Sequence, residues 1–289
     1  MIRYHQLGYI ALNVTDIERS RAFYEDELGL RYDGRGPEGE AVLSIAPGQR
    51  LFLHRGEQPG LKRLGWQMES ARQLKAVGEA LERAALGVLH TQVHGSACIR
   101  TVERYTGATM DFSAAEPEEA AVPGGAVERL GHAVLRTSRY IDAASFFKTI
   151  LGFQVSDEVA GRITFFRCFP NPQHHSLGIA SAPRNMLHHL SFVTRTREDI
   201  ASTAKRLRMN GVPVVCGPGR HAPSGSEFLY FLDPDGLTIE CSHGMEQFGE
   251  VAPRAPRVLP PVFESFDLDA NPRDSRMFAI GEIEGLGAA

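Results

Sequence analysis

Histidine carries a ring whose ordinary pKa lies near neutrality, and in its neutral form that ring is the commonest protein ligand for transition metals. The 289-residue chain has eleven of them, unevenly spread. His132, the pairs His174-His175 and His188-His189, His221 and His243 lie in the second half, against His5, His54, His90 and His94 in the first. Cysteine offers less. Cys98, Cys168, Cys216 and Cys241 are widely spaced with no Cys-x-x-Cys pair, so neither a zinc ribbon nor a disulfide framework is indicated. The chemistry on offer is imidazole chemistry: metal coordination, proton transfer, or both. One histidine opening a strand is more often a satisfied polar residue than a ligand, so each position has to be weighed against the element that carries it.

Those elements repeat. Leu7 to Leu30 aligns without a gap on Leu130 to Phe153 at an offset of 123, with Leu, Gly, Leu, Phe, Leu and Gly identical at six positions. Each copy runs from a short apolar strand through a polar break into an amphipathic helix. Thr15 and Glu18 read as a capping box at the first helix start. Ile17, Tyr24 and Leu28 share one helical face, and Tyr140, Phe147 and Leu151 repeat it. Gly29 and Gly152 stand where a left-handed residue ends each helix. Further on, Leu64-Gly65-Trp66 lies opposite Leu187-His188-His189, and second helices are expected over Arg72 to Ala85 and Glu198 to Met209. The expected fold class is α+β, built from four tandem βαβββ modules, two per domain. Residues 1–123 form the first domain, 124–250 the second and 251–289 a Pro-rich tail that wraps the surface; Glu116 to Gly125 is the linker, with the boundary near Pro123.

In this alignment His132 faces Tyr9, His189 faces Trp66 and Glu240 faces Asp111. A duplicated unit needs the same core twice but a site only once. Two imidazoles and a carboxylate on three strands match the facial arrangement of non-haem Fe(II) centres, which leaves neighbouring coordination positions free for substrate and O2.

The second half also carries a long motif: Gly219-Arg220-His221, seven residues, Leu229-Tyr230, then Asp233-Pro234-Asp235-Gly236 and Glu240. It resembles the signature of type I extradiol ring-cleaving dioxygenases of the vicinal oxygen chelate superfamily. The His174-His175-Ser176-Leu177 and Leu187-His188-His189-Leu190 segments resemble that family's strands carrying its active-site histidine and its second metal ligand. The resemblance covers residues 5–250 and implies the vicinal oxygen chelate, glyoxalase-like fold with a metal-free first domain. It further implies Fe(II), with Mn(II) as an alternative, held by His132, His189 and Glu240. His189 is favoured over His188 because in that family the ligand is the second His of a pair that precedes an apolar strand; one step along a strand reverses a side chain, so only one of the two can serve. His175 would be an acid and base beside the metal, with His174 pointing away, and His221 and Tyr230 would hydrogen-bond the substrate oxygens. The implied activity is cleavage of a catecholic ring by O2 beside its hydroxyls, giving a 2-hydroxymuconate-semialdehyde type product in aromatic catabolism.

Composition limits the alternatives. Hydrophobic residues at 43% and charged ones at 23% are ordinary for a globular protein. A net charge of -4 gives no footprint for nucleic acid. No run approaches 18 apolar residues and the start lacks a signal-peptide layout, so the expectation is a cytoplasmic protein with no membrane partner, assembled as a homo-oligomer. Two other readings stay open: a glyoxalase-like lyase or epimerase of the same fold, and a non-catalytic small-molecule binding protein.

Overall fold

The structure is a computed structural model that describes residues 1–93, 95–115 and 125–285. His94, the expected boundary at Pro123 and all of the expected linker except Gly125 lie outside the described residues. Four βαβββ modules follow one another. The first opens with strand Tyr4–Val14 and helix Ile17–Leu28, the second with Gly60–Met68 and Ala71–Arg83, the third with Val127–Thr137 and Tyr140–Thr149, and the fourth with Met186–Thr194 and Arg197–Met209. Three further strands complete each module, ending with Gln49–Arg55, Thr109–Ala114, Leu177–Ser181 and Thr238–His243 respectively.

Pairing explains why the opening strands matter. Each runs parallel to the last strand of its own module. The opening strands of modules one and two pair antiparallel, as do those of three and four, so each pair of modules merges into one eight-stranded sheet, to which a tail strand adds a ninth. The opening strands are therefore central, with little of their length exposed on either face. One face meets the helices and the other is free to hold polar side chains at a fixed pitch.

Of the expected helical faces, Tyr24, Leu28, Tyr140 and Phe147 are buried and Ile17 is half-buried, while Leu151 is buried just beyond the end of its helix. Their ends differ in detail. The first helix is capped by Asp16, whose carboxylate accepts from Arg19 N at 3.1 Å, and not by a Thr15–Glu18 box. Thr15 is instead turned to Asp235, which accepts from its backbone N–H at 2.9 Å. A reciprocal box does form at Thr196 and Asp199, opening the fourth helix. Gly29 ends the first helix with φ of 69°, whereas the third stops at Thr149, with left-handed Gly152 beyond it.

The two sheets share a continuous apolar core. Trp66 and Tyr4 of the first pack on Phe153, which immediately precedes a strand of the second, with ring centroids 4.9 and 4.8 Å apart, and Tyr4 donates to the Leu151 carbonyl at 2.7 Å. The Asp-Pro-Asp-Gly stretch of the motif adds a polar seam. Asp233 accepts from the Tyr24 hydroxyl at 3.0 Å, while its other oxygen accepts from the backbone N–H groups of Asp235 and Leu237. The tail does more than wrap the surface: Arg257–Leu259 extends the second sheet, and Glu282–Ile283 pairs with Gly60–Met68 of the first. Among the described residues no helix is long and apolar enough to cross a membrane.

Candidate active site

His132 pairs with Ser191, and Ser191 pairs with Glu240, so these three residues share one sheet face. His189, two residues before Ser191, shares it as well. His132 Nε2 lies 2.9 Å and His189 Nε2 3.3 Å from Glu240 Oε2, and the two nitrogens are 3.1 Å apart. All three side chains are buried. Despite these distances Glu240 Oε2 has no hydrogen-bond partner among the described residues. Three convergent donor atoms about 3 Å apart form one face of an octahedron with bonds of about 2.1 Å. Donor set, spacing and burial therefore fit one divalent transition metal ion.

The protonation states agree with that use. Burial alone would raise the Glu240 carboxyl, but His132, His189 and His221 outweigh it and hold it well below the usual carboxylate range. Burial brings His189 down to about 4, against the upward pull of Glu240. An ionised carboxylate and a neutral imidazole are the forms that bind metal.

His188 is not turned to the opposite face as simple alternation requires. A register irregularity falls between Leu187 and His189, and the His188 ring comes to rest beside its neighbour, Nδ1 to Nδ1 at 2.6 Å, stacked on Phe278 at 3.4 Å. It is still His189, not His188, that meets His132 and Glu240.

His175, His221 and Tyr230 surround the same point. The His175 ring centroid is 4.1 Å from that of His132, and burial, reinforced by His132 and His174, pushes its pKa well below 6.5. His175 lies just ahead of strand Leu177–Ser181, not within it, so alternation does not govern its neighbour. His174 consequently bonds Asp157 and His175 rather than merely pointing away. His221 Nε2 is 3.1 Å from the Tyr230 hydroxyl and 3.2 Å from Glu240 Oε1. Its Nδ1 donates to the Phe266 carbonyl at 2.5 Å. Burial, then Glu240, raises the Tyr230 phenol well above 10, keeping it a donor.

These residues open on a cavity of about 440 Å³, within the usual range for small-molecule sites. Val134, Ile163, Phe165 and Phe228 supply apolar wall. The tail supplies more: Phe266, Arg273, Met277 and Phe278 all line the cavity. Sequence reasoning missed these tail residues, and no spacing or motif in the tail marks them. It also missed Asp157, which lies in a short, mostly polar strand, Gln154–Val159, beside Glu158 and so carries no distinguishing signal.

The first sheet shows what the same place looks like without a site. Tyr9 pairs with Gly65 and Gly65 with Asp111, matching His132, Ser191 and Glu240. Arg63, paired with Ala11, matches His189, paired with Val134. The gapless offset therefore drifts, and Trp66 is the counterpart of Phe192, a core residue, rather than of His189. Tyr9 donates to Asp111, which also takes both nitrogens of the Arg100 fork at 2.7 Å. A Cβ on residue 65 would collide with the Tyr9 ring, so glycine makes room for it. The space is filled by these side chains. Asp157, His174 and Glu246 form a second acidic and imidazole cluster, but Arg254 and Arg257 already occupy it.

The chain is similar to known proteins in sequence and in fold. Biphenyl-2,3-diol 1,2-dioxygenase of Metapseudomonas furukawaii is 26% identical over 265 residues, covering 81% of this chain and 84% of that protein. The 3-methylcatechol 2,3-dioxygenase of Pseudomonas putida strain F1 is 26% identical over 269 residues, covering 84% and 90%. The Mn(II)-bound glyoxalase from Novosphingobium aromaticivorans superposes with a TM-score of 0.88 at 22% identity, covering 99% of this chain and 96% of that one, a likeness of fold. A single family model matches residues 6–92 and 129–241, taking in both halves of the repeat, and on that match the chain belongs to the Glyoxalase/Bleomycin resistance protein/Dioxygenase superfamily.

Proposed function

We propose that this chain is an extradiol dioxygenase, cleaving a catecholic ring with O2 beside its two hydroxyls at a mononuclear Fe(II) site held by His132, His189 and Glu240. The observation that carries the reading is the conjunction around one cavity of that three-ligand face with three proton-handling groups, His175, His221 and Tyr230. A lone metal site would not need the latter. The relatives' own activities on aromatic diols support it. Bound iron would acidify the diol hydroxyls and pass electrons from the ring to O2.

The chain's residues do the rest. Phe165, Phe228, Val134 and Ile163 hold the ring and exclude water, fixing its orientation before reaction. The Tyr230 hydroxyl and His221 anchor substrate oxygens through hydrogen bonds. Neutral His175 takes a proton from a substrate hydroxyl and later returns it to oxygen as the ring opens. The same three ligands accept Mn(II), and availability decides between the metals.

The test is metal analysis together with oxygen uptake by anaerobically Fe(II)- or Mn(II)-loaded protein over a panel of substituted catechols, watching for a yellow ring-opened product. Uptake with one O2 consumed per ring supports the proposal. Metal binding without uptake on any catechol overturns it in favour of a glyoxalase-like lyase or epimerase. Absence of metal binding overturns it in favour of a small-molecule binding protein.

A further inference from the structure

We infer that Asp157 and His174 are positioning residues that fix the tautomer of His175, so that His175 meets the cavity with the bare lone pair of Nε2. The inference deepens the reading above, which makes His175 the proton acceptor.

The argument follows the donors. Asp157 is wholly buried, and its two oxygens accept from Arg254 Nη1 and Nη2 at 2.9 and 3.0 Å, Arg257 N at 2.8 Å and Arg257 Nη2 at 2.6 Å. Between two guanidiniums it is an ionised carboxylate, which only accepts. His174 Nε2, 2.9 Å from Asp157 Oδ2, must therefore carry a hydrogen. The other His174 nitrogen, Nδ1, faces His175 Nδ1 at 3.0 Å, and one hydrogen must lie between them.

Charge decides whose it is. Asp157 and Glu246 already balance Arg254 and Arg257 in this cluster. A second proton on His174 would thus be an uncompensated charge on a ring with no exposed surface. His174 stays neutral, its Nδ1 accepts, and His175 Nδ1 donates. His175 then has one nitrogen left for the cavity it lines, and that nitrogen is unprotonated.

Free histidine prefers the opposite tautomer, with hydrogen on Nε2, which would offer the substrate a donor where a base is needed. In the proposed step the substrate O–H bond breaks, the electron pair stays on oxygen and an Nε2–H bond forms. The resulting imidazolium keeps its Nδ1–H bond to His174. Returning the proton from Nε2 to oxygen restores the starting state. Because Arg254 and Arg257 belong to the tail, the tail takes part in setting this base.

The direct test is ¹⁵N NMR of the histidine rings in Zn(II)-loaded protein, which reads tautomers without turnover. Wild type should show His175 protonated at Nδ1, and His174→Phe should shift it to Nε2–H. His175 protonated at Nε2 in wild type would overturn the inference, whether or not the protein cleaves catechols. In Fe(II)-loaded enzyme, His174→Phe should keep metal stoichiometry and KM while kcat falls about tenfold or more, on the scale of losing part of a general base. His174→Gln, whose amide can donate to Asp157 and accept from His175, should recover most of that loss. Equal losses in both variants, accompanied by lost metal, would mean that His174 only fills space.

Discussion

Tyr24→Phe removes one oxygen from the seam between the halves, and its cost should depend on pH in a calculable direction. The Tyr24 hydroxyl is buried and donates to Asp233 Oδ2 at 3.0 Å, while Asp233 Oδ1 is satisfied by two backbone N–H groups. Burial raises the Asp233 carboxyl to about 7 against the downward pull of these donors. Its folded value is thus above the unfolded value of about 3.9, so its contribution to stability is complete below pH 4 and is lost as pH rises through 7. Deleting the hydroxyl should raise the folded value further. With Asp233 protonated the variant loses a neutral hydrogen bond, about 1 kcal/mol, and with Asp233 ionised it loses a charge-assisted one, about 2 kcal/mol. At roughly 2–4 °C per kcal/mol for a chain of this size, the Tm deficit should grow from about 3 °C at pH 5 to about 6 °C at pH 8.5. Urea and thermal melts across that range measure it. A deficit that shrinks with rising pH would show that Asp233 is not the titrating acceptor. A deficit below 0.5 °C throughout would show that the bond contributes nothing.

Three further outcomes follow from the same geometry. His188→Ala should bind a full equivalent of metal and His189→Ala should lose it; metal analysis giving the reverse would place the wrong member of the pair among the ligands. His175→Gln should retain iron and catechol binding while turnover per bound iron drops by about 10², and a near-normal turnover would remove His175 from the chemistry. Burial works against the Asp157 charge, but His174, Arg257 and Arg254 outweigh it and hold its pKa well below the ordinary value. The stability it contributes should therefore be complete above about pH 4 and lost as pH falls below. Asp157→Asn should flatten that acid limb in urea titrations; an unchanged slope would mean the carboxylate is not the source.

How much of this could be read from residues alone depends on whether local rules held. The βαβββ order was legible because apolar strands and helix faces recur in step, and His132 and Glu240 stood out because both sit inside regular strands where the first copy carries Tyr9 and Asp111. The pairing of His189 with Trp66 was not sound: the repeat drifts by three residues between strands, which a gapless alignment cannot register. His174 and His188 escape alternation because one lies outside a strand and the other beside a register irregularity. The cavity-lining tail was illegible for a different reason. Its placement rests on long-range contacts, such as Leu187 N to Gly281 O at 2.7 Å and Arg257 to Asp157, that no local pattern announces.

The filled counterpart in the first sheet has a bearing on how such proteins diversify. Tyr9, Arg63 and Asp111 occupy the stations of His132, His189 and Glu240, so the two halves are alternative answers to one backbone: an internal clasp or an open reaction chamber. Placing the three-ligand face on the first sheet would require neither a new strand nor a new loop, only three side chains and the removal of Arg100, whose guanidinium would oppose a cation there; the proton-handling groups and the cavity would have to come in addition. The duplicated scaffold thus holds a spare berth, filled in the first half by the clasp of Tyr9, Asp111 and Arg100.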